Sequence, residues 1–254
     1  MPILAYHKVN NKFEWGINTI PIRSFESQVN YLSKHNYYSI SLDQYLDGDF
    51  QIESNRQPIV ITFDDADESI FHHAFPILSK HGYTATLFVI SNFVGKVNTW
   101  DANLGGIYSK HLNWEQIVEL SNNGWEIGSH TASHRDLLGL SIKEAAEELQ
   151  SSKEIIAEQV GRPIRFISYP FNRFDDKIIS QAQHAGYAGG CALSLKNRLN
   201  SVPKEFIIQR FGVYAIDSRY WFKKKLSNSK LEQIKQKIIS TASRSTILYK
   251  QYRK

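Results

Sequence analysis

Apolar runs and amphipathic segments alternate along this chain from its first residues to about position 213. Strand-like runs cover Ile3–Val9, Tyr37–Leu42, Ile59–Phe63, Thr84–Ile90, Trp125–Gly128, Ile164–Tyr169 and Phe206–Val213. Helical patterns fill most of the intervals. Phe25–His35 follows a capping serine, Ser24, and Ser69–His81 stops at Gly82. Trp114–Leu120 follows Asn113, Ile142–Val160 stops at Gly161, and Asp175–Ala185 stops at Gly186. Strands separated by single helices pair in parallel through right-handed crossovers. About seven such units predict an α/β fold whose sheet closes, or nearly closes, into a single β/α barrel. Asn92–Leu112 is the longest stretch without periodicity, and a loop of that length predicts a lid or a groove wall.

Two of these strand ends carry chemistry. Pro58-Ile-Val-Ile-Thr-Phe runs directly into Asp64-Asp65, and the C-terminal end of a buried parallel strand is where α/β folds place reacting groups. Trp125-Glu-Ile-Gly-Ser129 runs into His130-Thr-Ala-Ser-His134, two imidazoles four residues apart. One carboxylate with two histidines forms a facial ligand set with room for water, and a second carboxylate beside it is free to act as a base. Metal-assisted hydrolysis is the reaction this set predicts. Taken singly, each pair has a structural alternative: an aspartate pair capping the next helix, and a histidine-bearing turn.

Charge divides the chain unevenly. From Lys223 onward ten Lys or Arg stand against Glu232 alone, while the whole carries +5, so the preceding residues hold a net −4. Leu226, Leu231, Ile234, Ile238 and Ile239 recur at helical spacing in this basic tail, which predicts a partly amphipathic helix. It reads either as attraction to an anionic membrane surface or polymer, or as a solvated terminal helix with a frayed end. The expected division is a barrel over 1–221 and a basic helical tail over 222–254. No apolar stretch approaches the roughly 20 residues that span a bilayer, and the first residues show no leader pattern. A cytoplasmic or membrane-peripheral location is therefore expected, although an exported chain with a trimmed leader would read the same way. A single cysteine, Cys191, excludes an intrachain disulfide, and within Gly189-Gly-Cys-Ala-Leu it reads as a small buried strand residue.

Thr62-Phe-Asp-Asp65, His130-x-x-x-His134 and Phe166-Ile-Ser-Tyr-Pro-Phe-Asn172, in this order and at intervals of about 65 and about 36 residues, resemble the motifs of the polysaccharide deacetylases (carbohydrate esterase family 4, the NodB-homology domain). The resemblance runs to about residue 215 and implies a distorted (β/α) barrel. It implies Asp65, His130 and His134 as ligands of a divalent metal, Zn²⁺ before Co²⁺, Ni²⁺, Mn²⁺ or Fe²⁺. It further implies Asp64 as the base that activates a metal-bound water against the acetyl group of an N-acetylated glycan. The Phe171 backbone N–H matches the oxyanion donor, and Tyr169 and Phe171 would line the site. The family's late catalytic histidine has no counterpart here, since none follows His184. Ile3-Leu-Ala-Tyr-His7 instead resembles the circularly permuted branch that includes poly-N-acetylglucosamine deacetylases, which makes His7 the general acid.

The sequence departs from the family pattern at three positions. Ala66 and Asn172 stand where glycines are usual, and Ser168 aligns with the arginine that orients the base; Arg210, on a late strand, is the expected substitute. Trp100 and Asp101 are candidates for sugar contact, whereas His72, His73, His111 and His184 read as packing or surface residues. No nucleic-acid partner is expected. Two alternatives stay open: a silent carbohydrate-binding barrel, and a metal amidase acting on a non-sugar N-acetyl substrate.

Overall fold

The computed structural model of the protein describes residues 1–12, 14, 16–51, 55–100, 108–193, 203–227 and 229–242. Its first half contains β1 (Ile3–Tyr6), β2 (Lys8–Val9), β3 (Thr19–Ile20), α1 (Ile22–Lys34), β4 (Tyr37–Ser39), α2 (Leu42–Asp47) and β5 (Gln57–Phe63). A π-helical turn at Ile70–Ala74 leads into α3 (Phe75–Lys80), followed by β6 (Thr86–Val89), α4 (Trp114–Asn122) and β7 (Glu126–Ser129). The second half contains α5 (Ile142–Val160), β8 (Phe166–Ser168), α6 (Asp176–His184), β9 (Gly189–Ala192), β10 (Ile208–Gln209), β11 (Phe211–Gly212), α7 (Arg219–Leu226) and α8 (Lys230–Ala242).

The main sheet is parallel throughout and runs β10-β9-β8-β7-β6-β5-β1-β11. Its two ends are one extended segment broken at Arg210. Ile208 lies opposite Cys191 of β9, while Phe211 lies opposite Leu4 of β1. Between them the Arg210 N–H donates to Ala192 O (2.7 Å), and Val213 N–H then crosses to Ala5 O (2.8 Å). This seam turns the sheet into a nearly closed (β/α) barrel of seven positions, as the periodicity predicts. A separate parallel pair, β2 with β3, extends the chain beyond β1.

The barrel positions differ in one exchange from those read in the sequence. β4 pairs only with the first half of β5, Tyr37 opposite Gln57 and Ser39 opposite Ile59, so it lies below the ring. The vacant position goes to β9. Gly-Gly-Cys-Ala has no β-branched or aromatic residue to mark a strand, and packing explains why. A Cβ on Gly190 would lie 2.3 Å from the Tyr169 hydroxyl, and one on Gly189 would lie 2.9 Å from the Phe166 ring.

Parallel strands covered on both faces are apolar on both. Leu4, Ile61, Phe63, Leu87 and Ile167 face outward, into the large core beneath the helices. Ile3, Val60, Phe88, Phe166, Cys191 and Ile208, each one residue out of phase, form a smaller cluster that fills the barrel interior. Because side chains alternate along a strand, the inward set continues to His7, Asp64, His130, Ser168 and Arg210 at the strands' C-terminal ends. The period-two pattern that fills the barrel thus also loads its mouth.

The helices follow their caps. Ser41 with Gln44, Asn113 with Gln116 and Ser141 with Glu144 form complete capping boxes on α2, α4 and α5. α1 begins earlier than its serine suggests, with Pro21 at the cap and Ser24 inside the first turn. α7 spans the expected boundary at 221/222, and Phe222 is buried in the main core. Among the described residues no helix is long and apolar enough to cross a membrane.

Candidate active site

Strand register brings the motifs together. Tyr6 of β1 pairs with Phe63 of β5, so the residues that follow, His7 and Asp64, emerge side by side. Ser129 of β7 pairs with Ile167 of β8, which sets His130 beside Ser168. His130 Nδ1–H donates to Ser168 O at 2.7 Å; because a carbonyl can only accept, Nε2 is left with its lone pair facing the mouth.

That lone pair faces Asp65. His130 Nε2 and His134 Nε2 lie 3.4 and 3.6 Å from the same oxygen, Asp65 Oδ1. Asp65 Oδ1 is buried and has no hydrogen-bond partner among the described residues. One ligand atom from each of the three residues falls within 4.8 Å of the others. Metal–ligand bonds of 2.0–2.2 Å at tetrahedral or octahedral angles separate ligands by roughly 3–3.5 Å. The donor set, the spacing and the orphaned carboxylate oxygen therefore fit a divalent cation. Burial pushes the Asp65 carboxyl up, but in the metal-free protein protonated His130, His7 and His134 outweigh it and hold it well below the usual carboxylate range.

The turns carrying these ligands are tight. Asp65, Ala66, Thr131, His134, Phe171 and Asn172 all take left-handed conformations, with φ between 53° and 71°. Ala66 and Asn172 are two of the positions where glycine is usual in the family. The His130–His134 turn is tied down by Thr131 N–H to Ser129 Oγ (3.1 Å), His134 N–H to Thr131 Oγ1 (3.1 Å) and Ser133 N–H to Glu148 of α5 (2.8 Å).

Asp64 is 2% exposed, and both its oxygens are engaged. Arg210 Nη1 donates to Oδ1 (2.7 Å) and Nη2 to Oδ2 (2.8 Å), a bidentate pair, while Ser168 Oγ–H also donates to Oδ2 (3.2 Å). The guanidinium bonds Thr62 Oγ1 (2.9 Å) and Ser168 Oγ (2.7 Å) and lies over the Phe88 ring at 5.0 Å. The small Ser168 leaves the space that Arg210 enters from the seam. Burial opposes ionisation of Asp64, but the Arg210 charge prevails and holds its carboxyl below the usual range.

His7 lies partly buried, beside Asp64 by strand register. Its Nδ1 is buried without a hydrogen-bond partner among the described residues. The Phe171 ring meets His134 edge-on at 4.6 Å. Tyr169 departs from the expected lining role: its ring stacks on Phe174 at 4.5 Å, deep in the core against Gly190. Arg173 closes the motif's far side on Asp136 (2.8 Å).

The described limbs of the long loop lie beside the site. Asn98 N–H bonds Ser109 O (2.8 Å) and Gly95 N–H bonds Leu112 O (2.8 Å), so its limbs run together and hold Trp100 against His134, ring centroids 3.9 Å apart. His111, read as a packing residue, links the loop to Asp65. Its Nδ1–H donates to Asp65 O (2.6 Å), and its Nε2 accepts from Trp100 Nε1–H (3.1 Å). Burial lowers its pKa, in keeping with the neutral ring that this pattern requires. Spacing in the sequence carries no trace of the link, because the contact is to a backbone carbonyl. Asp101 lies outside the described residues. His72 and His184 are exposed, and burial pushes the interior Cys191 thiol up to about 12, away from reactivity.

The family model for polysaccharide deacetylases matches residues 51–190. The poly-beta-1,6-N-acetyl-D-glucosamine N-deacetylase of Staphylococcus epidermidis is 26% identical over 183 residues, 68% of this chain and 61% of that protein. The Staphylococcus aureus protein of the same name is 29% identical over 184 residues, 68% of this chain and 60% of its own length. This chain thus spans about six-tenths of the length of these curated relatives. Among solved structures, the Streptococcus pyogenes deacetylase PplD in complex with acetate superposes with a TM-score of 0.73 at 21% identity, covering 90% of this chain and 97% of that one. IcaB from Ammonifex degensii superposes with a TM-score of 0.69 at 23% identity, covering 91% and 96%. At these identities the structural likeness is one of fold.

Proposed function

The chain belongs to the polysaccharide deacetylase family, and from that premise we propose that it is a divalent-metal hydrolase removing N-acetyl groups from amino sugars of a glycan. The observation that carries this reading is the buried Asp65, His130 and His134 set beside a second carboxylate held by an arginine. Zn²⁺ suits two imidazoles and one carboxylate best. The ion, when bound, supplies Lewis acidity toward the acetyl carbonyl and a lowered pKa for water.

The remaining steps belong to the chain. Asp64, ionised and aimed by Arg210 and Ser168, takes the proton of the attacking water. The developing oxyanion meets the Phe171 N–H, a role supported by the placement of that turn against His134. His7, beside Asp64 at the end of β1, gives a proton to the departing amine, so that amide and water become acetate and free amine. Trp100 offers an aromatic face to the sugar ring. The staphylococcal relatives point to a poly-β-1,6-N-acetylglucosamine-like polymer as the first substrate to try.

Metal content and acetate release, measured together, test the division of roles. Wild type is expected to hold about one equivalent of divalent metal, and His130→Ala/His134→Ala none. Asp64→Asn should keep the metal and lose at least roughly a hundredfold in rate, and His7→Ala should behave likewise. Loss of metal from Asp64→Asn, or full activity in His7→Ala, would remove the respective assignment. A wild type that takes up no metal from a zinc-supplemented buffer would leave a carbohydrate-binding barrel as the better reading.

A further inference from the structure

Helix α8 is mounted inside out. The residues it turns toward the barrel are polar: Glu232 is fully buried and Gln236 is 2% exposed. Gln236 Nε2–H donates to Gly212 O (2.8 Å) and to Glu232 Oε1 (2.7 Å), and Glu232 is also paired with the buried Lys225 ammonium. Lys225 in turn reaches Asp217 at 3.0 Å, which Lys235 also engages. On the opposite face Leu231, Ile234 and Ile238 are 53%, 55% and 66% exposed. With 3.6 residues per turn these three fall on one stripe about 60° wide. A helix that only covers the barrel would bury this stripe and solvate its polar side.

The rim of the stripe is cationic and aromatic. The Lys235 ammonium lies over the Trp221 ring at 4.6 Å, and Trp221 meets Tyr220, itself 54% exposed, at 5.6 Å. Lys223 and Lys230 are exposed. We propose that the outward face of α8, with Tyr220 and Trp221 of α7, is a docking surface for an anionic lipid bilayer. Such a bilayer accepts apolar side chains, stations aromatic rings at its interface and attracts lysines, and the face presents all three together. A soluble polyanion would satisfy only the charge. A second copy would set one strongly basic segment against another, since from Lys223 onward the chain carries ten basic residues against one acid. The buried polar side of the helix fixes the orientation: salt bridges to Lys225 of α7 and to Asp217, with the Gln236 hydrogen bond to Gly212 of β11, hold α8 so that its apolar stripe must face away.

Vesicle flotation of the full chain tests this surface. Vesicles of phosphatidylcholine with about one-third phosphatidylglycerol should carry the protein up, and pure phosphatidylcholine should not. Raising salt from about 0.1 to about 0.5 M should weaken the binding by shortening the Debye length. Leu231→Ser/Ile234→Ser/Ile238→Ser removes only exposed apolar groups and should keep its thermal transition while its partition coefficient falls roughly tenfold or more. Equal partition of wild type and triple variant, or binding indifferent to lipid charge, would overturn the proposal. It would also fall if lipid-free wild type were a dimer that the triple variant dissolves, because the face would then belong to a second copy.

Discussion

A carboxylate removed from water stays ionised only where nearby charge offsets the lost hydration, and at Asp64 the largest such charge is that of Arg210. Arg210 is itself 1% exposed, so each group would be costly without the other. Removing the guanidinium alone, as in Arg210→Met, should destabilise the metal-free protein by about 3–5 kcal/mol in chemical denaturation. Asp64→Asn/Arg210→Met should recover a large part of that loss, since no buried charge is stranded. A double variant as unstable as the single would mean that Arg210 acts through packing against Phe88. The sequence names Asp64, and the family resemblance suggests Arg210, because Ser168 stands where the family's arginine is expected and a substitute is needed. Neither reveals His111, whose partner is a backbone carbonyl. Ala66 is a further case of local compromise. Its left-handed φ of 53° costs on the order of 1 kcal/mol, and its buried methyl contributes a similar amount in the core.

At the scale of elements, strands and helices are legible where the chain advertises them and silent where packing forbids the usual residues. Boundaries at Gly161, Gly82 and Asn113 fall where their caps place them. β9 is marked only by its small residues, because Phe166 and Tyr169 occupy the space in which side chains on Gly189 and Gly190 would sit. α2 has a cap from another element as well: Glu126, the first residue of β7, accepts the N–H groups of Leu42 (3.0 Å) and Asp43 (3.1 Å). Burial pushes Glu126 up to about 7, against the opposing pull of the Thr86 hydroxyl and these amides. A raised folded-state pKa means the folded protein holds this proton more tightly than the unfolded chain. The associated stability is complete below the ordinary carboxylate range and is lost as pH rises through 7. Wild type should therefore lose up to roughly 3 kcal/mol between about pH 4.5 and 7 relative to Glu126→Gln, read as the difference of their denaturation midpoints. Parallel pH profiles for the two proteins would remove Glu126 as the cause.

At the scale of the whole molecule, the barrel and the basic segment after it share one core. Phe222 is 1% exposed and packs in the cluster that contains Leu4, Phe25 and Phe63. Phe222→Ala should cost about 3–5 kcal/mol and lower a single thermal transition. A separate low-temperature step with an unchanged main transition would make α7 and α8 an independent appendage. The barrel and its near closure are legible as alternation, but the seam by which it closes is not. No periodicity indicates that residues 208–212 divide their pairing between β9 and β1, a change of partner made at one residue.

That change of partner also orders events in time. β1 finds its neighbour β11 across nearly the whole sequence, so on an emerging chain its edge waits while every other barrel strand is made. The residue at the break is Arg210, and Asp64 has no counterion until it arrives. The barrel and the buried Asp64–Arg210 pair are therefore finished by the same late event: a chain whose ring has not closed also lacks this pair.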